Sequence, residues 1–238
     1  MIKSVLRRLV NLTYFTPMLL SHSHKFLFIH IPKTAGSSIT SALAPYCEHP
    51  EQHWYNRMLR GIGINVNWYG PLKVRNPRKH TTFKQAEQIY SKAMLNSYFK
   101  FAFVRNPWDL MVSYYHYIKS RKNHHRSRHV NQLKSFKSYL HYEIDRAKVS
   151  QSKFICDQHD NMLVDFVGQF ENLSEDFLKI CTSVGLAGVR LEHQNKSARG
   201  HYQEYYDLET RELVARHWER DIDLFKYSFD DSHRTLIA

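Results

Sequence analysis

The hydrophobic pattern of the chain consists of short apolar runs separated by longer amphipathic segments. Phe26–Ile29 is the first run, Phe101–Val104 the second and residues 163–170 the third. Runs of this length, rich in aromatic and β-branched residues, are typical of buried strands. Helical spacing of apolar residues occurs between them, as in residues 84–95 and 136–144. The alternation predicts an α/β fold with a mainly parallel, P-loop-like sheet flanked by helices on both faces.

The turn after the first run has the composition of an anion-binding site. Residues 32–38 read Pro-Lys-Thr-Ala-Gly-Ser-Ser, and a helical pattern follows. Such a turn brings backbone N–H groups together, while the helix N-terminus and Lys33 add positive potential. It is not an ATP-type P-loop, which opens with Gly and ends in Gly-Lys-Ser/Thr. The alternative is an ordinary strand–helix turn that carries a surface lysine.

The second run leads into a helix with further candidates for anion binding. Arg105 follows the run, Asn106 is the predicted N-cap and Pro107 fits the first helical position. Ser113 lies about two helical turns after Asn106 and shares its face. We therefore expect Arg105 and Ser113 to converge on one anionic group beyond the strand, where ligands bind in open α/β sheets.

Two motifs carry a resemblance to a known family: IHIPKTAGSS at residues 29–38 and FVRNPWDLMVSYY at residues 103–115. Together they resemble the sulfotransferase superfamily, specifically carbohydrate O-sulfotransferases of the heparan-sulfate 2-O-sulfotransferase type and their bacterial relatives. Two later stretches, VDFVGQFENLSEDF and HQNKS, are also similar. The resemblance covers most of the chain and predicts one sulfotransferase domain over residues 1–238, with residues 1–24 as an N-terminal extension.

The resemblance implies a cofactor and a set of site residues. The first motif is expected to bind the 5′-phosphosulfate of PAPS (3′-phosphoadenosine 5′-phosphosulfate) through Pro32, Lys33, Thr34, Ala35, Gly36, Ser37 and Ser38. The second is expected to bind the 3′-phosphate through Arg105 and Ser113. A basic loop containing Lys196 and Ser197 is expected to fold over the cofactor. The implied reaction moves a sulfuryl group to a hydroxyl of a carbohydrate.

Lys33 and His80 are the predicted catalytic residues. Lys33 is suited to stabilise the charge that develops on the leaving phosphate and the sulfuryl group. A histidine ahead of the VRNP strand is the catalytic base in the resembling family, and His80 has the matching place and context. Glu171 is the next candidate for the base. We find no carboxylate cluster suited to Mg²⁺, and the sequence predicts no metal.

Composition favours anionic partners without choosing among them. Net charge is +12 with a pI near 9.6. Residues 119–129 form a dense basic run, predicted to be a solvated loop or a docking site for an acidic acceptor. An anionic nucleotide and a carbohydrate are the expected partners, and nucleic acid is not. Cys47, Cys156 and Cys181 lack disulfide-type spacing and are expected to be free buried thiols.

The N-terminal residues bear on the cellular location of the protein and on its contact with membranes. They contain no apolar run long enough to span a bilayer. Animal members of the resembling family are Golgi enzymes held by a transmembrane anchor, so the resemblance implies a bacterial cytoplasmic protein. Residues 3–12 form a basic amphipathic pattern. Peripheral contact with the inner membrane surface is one interpretation, and a terminal helix packed on the domain is the other.

Two other functions fit parts of the sequence. A kinase in the same fold would need a Walker-type Gly-Lys-Ser/Thr and a Mg²⁺-binding Asp, and neither is evident. A non-catalytic basic protein that binds glycan or nucleic acid would explain the charge but not the paired motifs.

Overall fold

Four strands form one sheet in the computed structural model, which describes residues 18–48, 54–62, 79–191 and 199–230. Their order across the sheet follows the chain: β1 (Leu19–Ser21), β2 (Phe26–Ile29), β3 (Phe99–Val104) and β4 (Phe166–Gln169). β2, β3 and β4 are parallel, and β1 pairs antiparallel with β2. The expected α/β fold and the three strands predicted from the apolar runs are thus confirmed.

Helices of the described residues cover both faces of this sheet. They are α1 (Gly36–Leu43), α2 (Trp54–Gly61), α3 (Phe83–Glu87), α4 (Lys92–Ser97), α5 (Pro107–Ser120), α6 (Ser127–Gln132), α7 (Phe136–Arg146), α8 (Ser152–Ile155), α9 (Leu173–Ser183), α10 (Leu208–His217) and α11 (Glu219–Leu224). Turns of 3-10 helix lie at Ala44–Tyr46, Phe170–Asn172 and Tyr202–Tyr205. Within the described ranges, no helix combines the length and apolar character needed to cross a bilayer.

Alternate side chains of the strands enter two hydrophobic cores, one on each face of the sheet. One core contains the strand residues Phe26, Phe28, Phe101 and Phe103, packed against α1 and α9. The other contains Leu27, Ile29, Ala102 and Val104, packed against α3, α4 and α8. Because both faces are covered, the central strands read as continuous apolar runs rather than as alternating patterns.

A third cluster fixes the helix that follows β3. Trp108 of α5 packs with Leu140 of α7 and Val214 of α10. The Trp108 indole also donates to the Arg211 carbonyl at 3.0 Å. This packing holds the N-terminal end of α5 in place at the edge of the sheet.

Local sequence sets several helix boundaries, and the predicted cap at Asn106 is confirmed. Asn106 caps α5 by accepting from the Trp108 N–H at 3.0 Å, with Pro107 in the first turn. Asp207 caps α10 and forms a capping box with Thr210. Gly185 follows α9 with φ of 72°, a left-handed conformation that glycine adopts without strain. The three cysteines are free and buried, as expected.

One secondary-structure prediction was wrong, and another holds only in part. The helix expected at residues 84–95 is two short helices, because Ser91 accepts from the Met94 N–H at 3.2 Å and starts α4 anew. The basic run at residues 119–129 is not a solvated loop throughout. α5 continues to Ser120, and Arg126 and Ser127 are buried at the start of α6.

The N-terminal extension also needs correction. Leu19–Ser21 pairs with β2 and is buried, so the last part of the expected extension belongs to the sheet. The amphipathic pattern at residues 3–12 lies outside the described residues. The single-domain organisation stays a prediction.

Candidate active site

Three strands end at one edge of the sheet, and a cleft opens there. β2 leads into the turn at residues 32–38, β3 into Arg105 and β4 into Phe170. Parallel strands place their carboxyl ends side by side, which is where ligands bind in such sheets. The cleft has a volume of about 1610 Å³, above the roughly 300–1,000 Å³ of a pocket for one drug-sized ligand. It has room for a nucleotide and a second substrate.

The turn between β2 and α1 contains two residues in the left-handed conformation. Lys33 has φ of 70° and Ala35 has φ of 62°, each at a cost of about 1–3 kcal/mol for a residue with a side chain. Thr34 is fully buried and its hydroxyl donates to the Ile31 carbonyl at 2.9 Å. α1 then begins at Gly36 with no side-chain cap. The Ser38 N–H donates to the Ala35 carbonyl at 3.0 Å, whereas the N–H groups of Gly36 and Ser37 precede the first turn of hydrogen bonds and can face an anion.

The start of α1 requires glycine because the His30 ring lies against it. A Cβ at position 36 would lie 1.8 Å from His30 Nε2. The ring has little freedom to move, since it is buried and stacks on Phe28 with centroids 5.4 Å apart. Burial, followed by the nearby His80 and Lys79, lowers the pKa of His30 to about 2. His30 is therefore neutral at physiological pH and serves as a packing element.

His80 lies beside His30, with ring centroids 4.7 Å apart. His80 Nδ1 is 3.0 Å from the His30 carbonyl oxygen. Because a carbonyl only accepts, we assign the proton to Nδ1 and the lone pair to Nε2. Burial lowers the pKa of His80, opposed by the bond to the carbonyl, and the charge on Lys79 lowers it further. A neutral His80 with an unprotonated Nε2 can accept a proton in the cleft.

The Lys33 side chain extends to α5. Its Nζ lies 4.1 Å from the centre of the Tyr117 ring. Burial lowers the pKa of Lys33 to about 8, with further contributions from the charges of Arg105, Arg121, Arg199 and Lys79. Lys33 is thus charged at neutral pH and loses its proton in mildly alkaline solution.

Arg105 and Ser113 converge, as the sequence predicted. Arg105 Nη1 donates to the Ser113 hydroxyl at 3.2 Å and to the Lys33 carbonyl at 3.1 Å. The opposite side of the guanidinium group is bound by Asp109, with Arg105 Nε 2.7 Å from Oδ2. The guanidinium carbon lies 3.7 Å from the centre of the Phe170 ring. Arg105 is therefore held in position by four groups before any ligand binds.

Asp109 joins two arginines across the cleft. It pairs with Arg105 and with Arg199. Burial acts to raise the pKa of Asp109, but the two guanidinium groups outweigh it and lower the pKa below its usual value. The ionised carboxylate offsets part of the repulsion between the two cations.

Glu171, the second candidate for a base, is occupied by structural contacts. Its Oε1 accepts from the Asn106 N–H at 2.8 Å and its Oε2 from the Tyr227 hydroxyl at 2.8 Å. Burial raises its pKa, which these bonds and the charge of Arg105 oppose. The carboxylate therefore ties the start of α5 to the C-terminal segment.

The structure places most of the predicted site residues around this cleft. They are Pro32, Lys33, Ala35, Gly36, Ser37, Ser38, His80, Arg105 and Ser113. Thr34 does not line the cleft, because its hydroxyl is bonded beneath the turn. Lys196 and Ser197 lie outside the described residues. The roles assigned to all of them stay predictions.

Sequence reasoning missed four residues that shape the cleft: His30, Asp109, Tyr117 and Arg199. Asp109 could have been found, because it stands four residues after Arg105 on the predicted helix. Arg199 belongs to a basic loop in the sequence but carries no spacing that links it to Asp109. Within the described part of the chain, no group of three or more His, Cys, Asp or Glu residues is arranged to hold a metal ion.

Comparisons with known proteins identify the family. The chain is similar to an uncharacterized protein of Archaeoglobus fulgidus, 31% identical over 97 residues, which are 40% of this chain and 74% of that protein. Among solved structures it matches the crystal structure of mouse sulfotransferase SULT7A1 complexed with PAP, with a TM-score of 0.49, 12% identity and coverage of 88% and 91% of the two chains. The profile of the Sulfotransferase family matches residues 16–228. The chain belongs to the sulfotransferase family.

Proposed function

We propose that this protein transfers a sulfuryl group from PAPS to a hydroxyl of a carbohydrate. One observation carries the proposal: the uncapped start of α1, Lys33 and the unprotonated Nε2 of His80 meet in one cleft of a sulfotransferase-family chain. The cleft therefore combines anion binding with a proton acceptor, and sulfuryl transfer to a hydroxyl needs both.

The nucleotide half of the cleft fits PAPS through its set of donors. The amides of the turn at residues 32–38, the hydroxyls of Ser37 and Ser38 and the Lys33 ammonium would hold the 5′-phosphosulfate. Arg105 and Ser113 would hold the 3′-phosphate. Lys196 and Ser197 would close over the nucleotide, as the family resemblance implies.

The reaction follows from these positions. The acceptor oxygen forms a bond to sulfur while the bond from sulfur to the bridging phosphate oxygen breaks, and that oxygen keeps the electron pair. The acceptor proton passes to His80 Nε2. Lys33 and the turn amides stabilise the charge on the bridging oxygen and on the sulfuryl group. Positioning and charge stabilisation supply most of the catalysis, as in phosphoryl transfer.

The acceptor half of the cleft supports an acidic carbohydrate. Beyond Lys33, the cleft is lined by Tyr117, Arg121, His124 and His125 from the end of α5 and the segment after it. Cations bind carboxylate or sulfate groups, and an aromatic ring offers a flat surface for a sugar. This segment overlaps the basic run at residues 119–129.

The proposal is tested by incubating the protein with radiolabelled PAPS and a panel of acceptors. The panel contains acidic polysaccharides, their neutral counterparts, lipid-linked sugars and small hydroxyl compounds. We expect label in an acidic carbohydrate, and none when Lys33→Ala replaces the native protein. Parallel incubations contain γ-labelled ATP in place of PAPS. Phosphate transfer from ATP, or PAPS binding without transfer to any acceptor in the panel, would overturn the proposal.

A further inference from the structure

Tyr117 of α5 lies between two cations of the cleft. Lys33 Nζ is 4.1 Å from the ring centre, and the Arg121 guanidinium carbon is 5.3 Å from it. His124 meets the ring edge-on, with centroids 5.7 Å apart. The face of an aromatic ring is negative and attracts cations within about 6 Å of its centre. Tyr117 therefore links the turn that carries Lys33 to the segment that follows α5.

Among the described residues, the charged groups that shift the pKa of Lys33 are four cations, and each lowers it. They are Arg105, Arg121, Arg199 and Lys79. Three carboxylates line the cleft, and none of them is among the groups that shift the pKa of Lys33. Asp109 pairs with Arg105 and Arg199, Glu171 accepts from the Asn106 N–H and the Tyr227 hydroxyl, and Glu175 lies in the first turn of α9. Burial also disfavours the ammonium form. Among the contacts of the described residues, the Tyr117 ring face is the one that favours a charged Lys33.

We propose that Tyr117 is a positioning residue of the sulfotransfer site, whose ring face keeps the Lys33 side chain charged and directed across the cleft before the cofactor binds. A cation–π contact is weaker than a charge-assisted hydrogen bond to a phosphate or sulfate oxygen. An arriving phosphosulfate can therefore take the ammonium group from the ring. Only the expected effect on turnover rests on the proposed function. The contact between Lys33 and the Tyr117 ring is present whatever reaction the protein catalyses.

The first test measures the titration of Lys33 in the full chain without nucleotide. The protein reacts with an amine-selective acylating reagent at a series of pH values, and the peptide containing Lys33 is quantified by mass spectrometry. Only the neutral amine reacts, so the midpoint of the pH dependence reports the protonation of Lys33. The plateau rate reports how accessible the amine is.

Three substitutions at position 117 separate the charge of the ring face from its shape. Tyr117→Phe keeps the face, Tyr117→Leu removes it, and pentafluorophenylalanine keeps the shape but reverses the charge of the face. We expect a midpoint near pH 8 for the native protein and for Tyr117→Phe. We expect the other two midpoints to fall by about 0.4–1.5 pH units, the span of cation–π energies.

Tyr115→Leu is the matched control on the same helix. The Tyr115 ring lies 4.8 Å from Lys119 Nζ and does not line the cleft, so its loss should leave the Lys33 midpoint unchanged. Equal midpoints in all variants, or an equal shift in Tyr115→Leu, would overturn the proposal. If Tyr117→Leu does not fold, the fluorinated variant decides, because it keeps the shape of the ring.

Turnover with PAPS provides the second test. The pH profile of kcat/KM reports the free enzyme and that of kcat the bound complex. In Tyr117→Leu the alkaline limb of kcat/KM should move down by the same pH interval, while that of kcat stays in place. Movement of both limbs together, or of neither, contradicts a role limited to the free enzyme. If the native protein transfers no sulfuryl group, the proposed function fails, yet the Lys33 midpoints still judge Tyr117.

Discussion

Single residues gain their roles here from what their polar atoms face. The chain has sixteen histidines, and three of those that the structure describes, His24, His80 and His217, place Nδ1 against a backbone carbonyl. His80 Nδ1 faces the His30 carbonyl at 3.0 Å, and His217 Nδ1 faces the Leu213 carbonyl at 2.9 Å. Both carbonyls favour a proton on Nδ1. His217 is exposed on α10, whereas His80 lines the cleft beside Lys79. Location, and not the bond, makes His80 the candidate base.

The comparison of His80 with His217 gives a prediction for the catalytic base. His80→Asn should lower turnover by about 10²–10⁴-fold, the usual contribution of a general base, while affinity for PAP changes little. Burial lowers the pKa of His80 from 6.5, so the native acidic limb of kcat/KM should lie below pH 6.5 and vanish in the variant. Steady-state kinetics across pH measure both effects. His217→Asn is the control and should match the native protein.

The positions of site residues were predictable where a motif fixed them. Lys33, His80, Arg105 and Ser113 come from motif order, and the structure brings all four to one cleft. His30 was recognised only as part of the motif at residues 29–38, because its contact with Gly36 depends on how the turn folds back. Arg199 reaches Asp109 from 90 residues away in the chain, and sequence spacing carries no information about that distance.

At the level of elements, the junction of β2 and α1 depends on one close approach. Gly36→Ala places a methyl group against the buried His30 ring. Overpacking of this kind costs roughly 1–3 kcal/mol, and displacement of His30 should also disturb His80. We expect a lower free energy of unfolding in urea and weaker PAP binding.

Gly61→Ala is the control for this substitution. Its Cβ would meet no atom within 4 Å, and alanine is favoured over glycine in a helix by about 1 kcal/mol. The free energy of unfolding of Gly61→Ala should equal that of the native protein or be slightly higher. If Gly36→Ala behaves like Gly61→Ala, the His30 ring is free to move and the turn does not depend on it.

The start of α6 depends on a buried ion group. Glu143 of α7 is fully buried and pairs with Arg126 and with Arg146, the latter at 2.8 Å. Arg126 lies near the C-terminal end of the basic run at residues 119–129, which was predicted to be a solvated loop or a docking site. Its partner lies on a helix predicted from hydrophobic spacing alone, so the sequence indicated the helix but not the pair. The pair explains why this end of the run is ordered.

Removing the charge of Glu143 should therefore break both of its ion pairs. Glu143→Gln leaves two arginines without their shared carboxylate, and breaking a buried pair costs about 3–5 kcal/mol. Urea denaturation should show a decrease in the free energy of unfolding on this scale. Glu209→Gln is the control, because Glu209 and Lys137 form an exposed pair, worth at most about 1 kcal/mol. Similar losses for the two variants would show that the burial of Glu143 does not matter.

The whole molecule is organised so that its cleft collects cations from distant segments. Lys33 follows β2, Arg105 follows β3, Arg121 follows α5 and Arg199 precedes the last helices. With a net charge of +12, the cleft should attract anions and lose stability through repulsion among its own groups. The sequence predicted the strands and showed the excess of positive charge, but only the fold shows that these four cations converge on one cleft. A doubly phosphorylated nucleotide would relieve the repulsion and link the segments.

That arrangement predicts how nucleotides change thermal stability. At about 100 times its dissociation constant, PAP should add about 2.7 kcal/mol, which raises Tm by roughly 5–10 °C for a domain of this size. Adenosine 5′-monophosphate lacks the 3′-phosphate and should give a smaller shift at the same concentration. Higher salt should reduce the PAP shift, because it screens the partly exposed charges. Differential scanning fluorimetry measures all of these.

Two serine variants test whether the increase in Tm with PAP arises at the predicted 3′-phosphate site. Ser113→Ala should reduce the PAP shift but leave the shift with adenosine 5′-monophosphate unchanged, because the Ser113 hydroxyl adjoins Arg105 Nη1 at 3.2 Å. Ser183→Ala is the control, since that hydroxyl bonds to the Lys179 carbonyl within α9 at 3.0 Å. Equal shifts with PAP and adenosine 5′-monophosphate in the native protein would contradict a 3′-phosphate site at Arg105 and Ser113. The cations of the cleft would then serve the acceptor, and PAPS would be held by the turn at residues 32–38 alone.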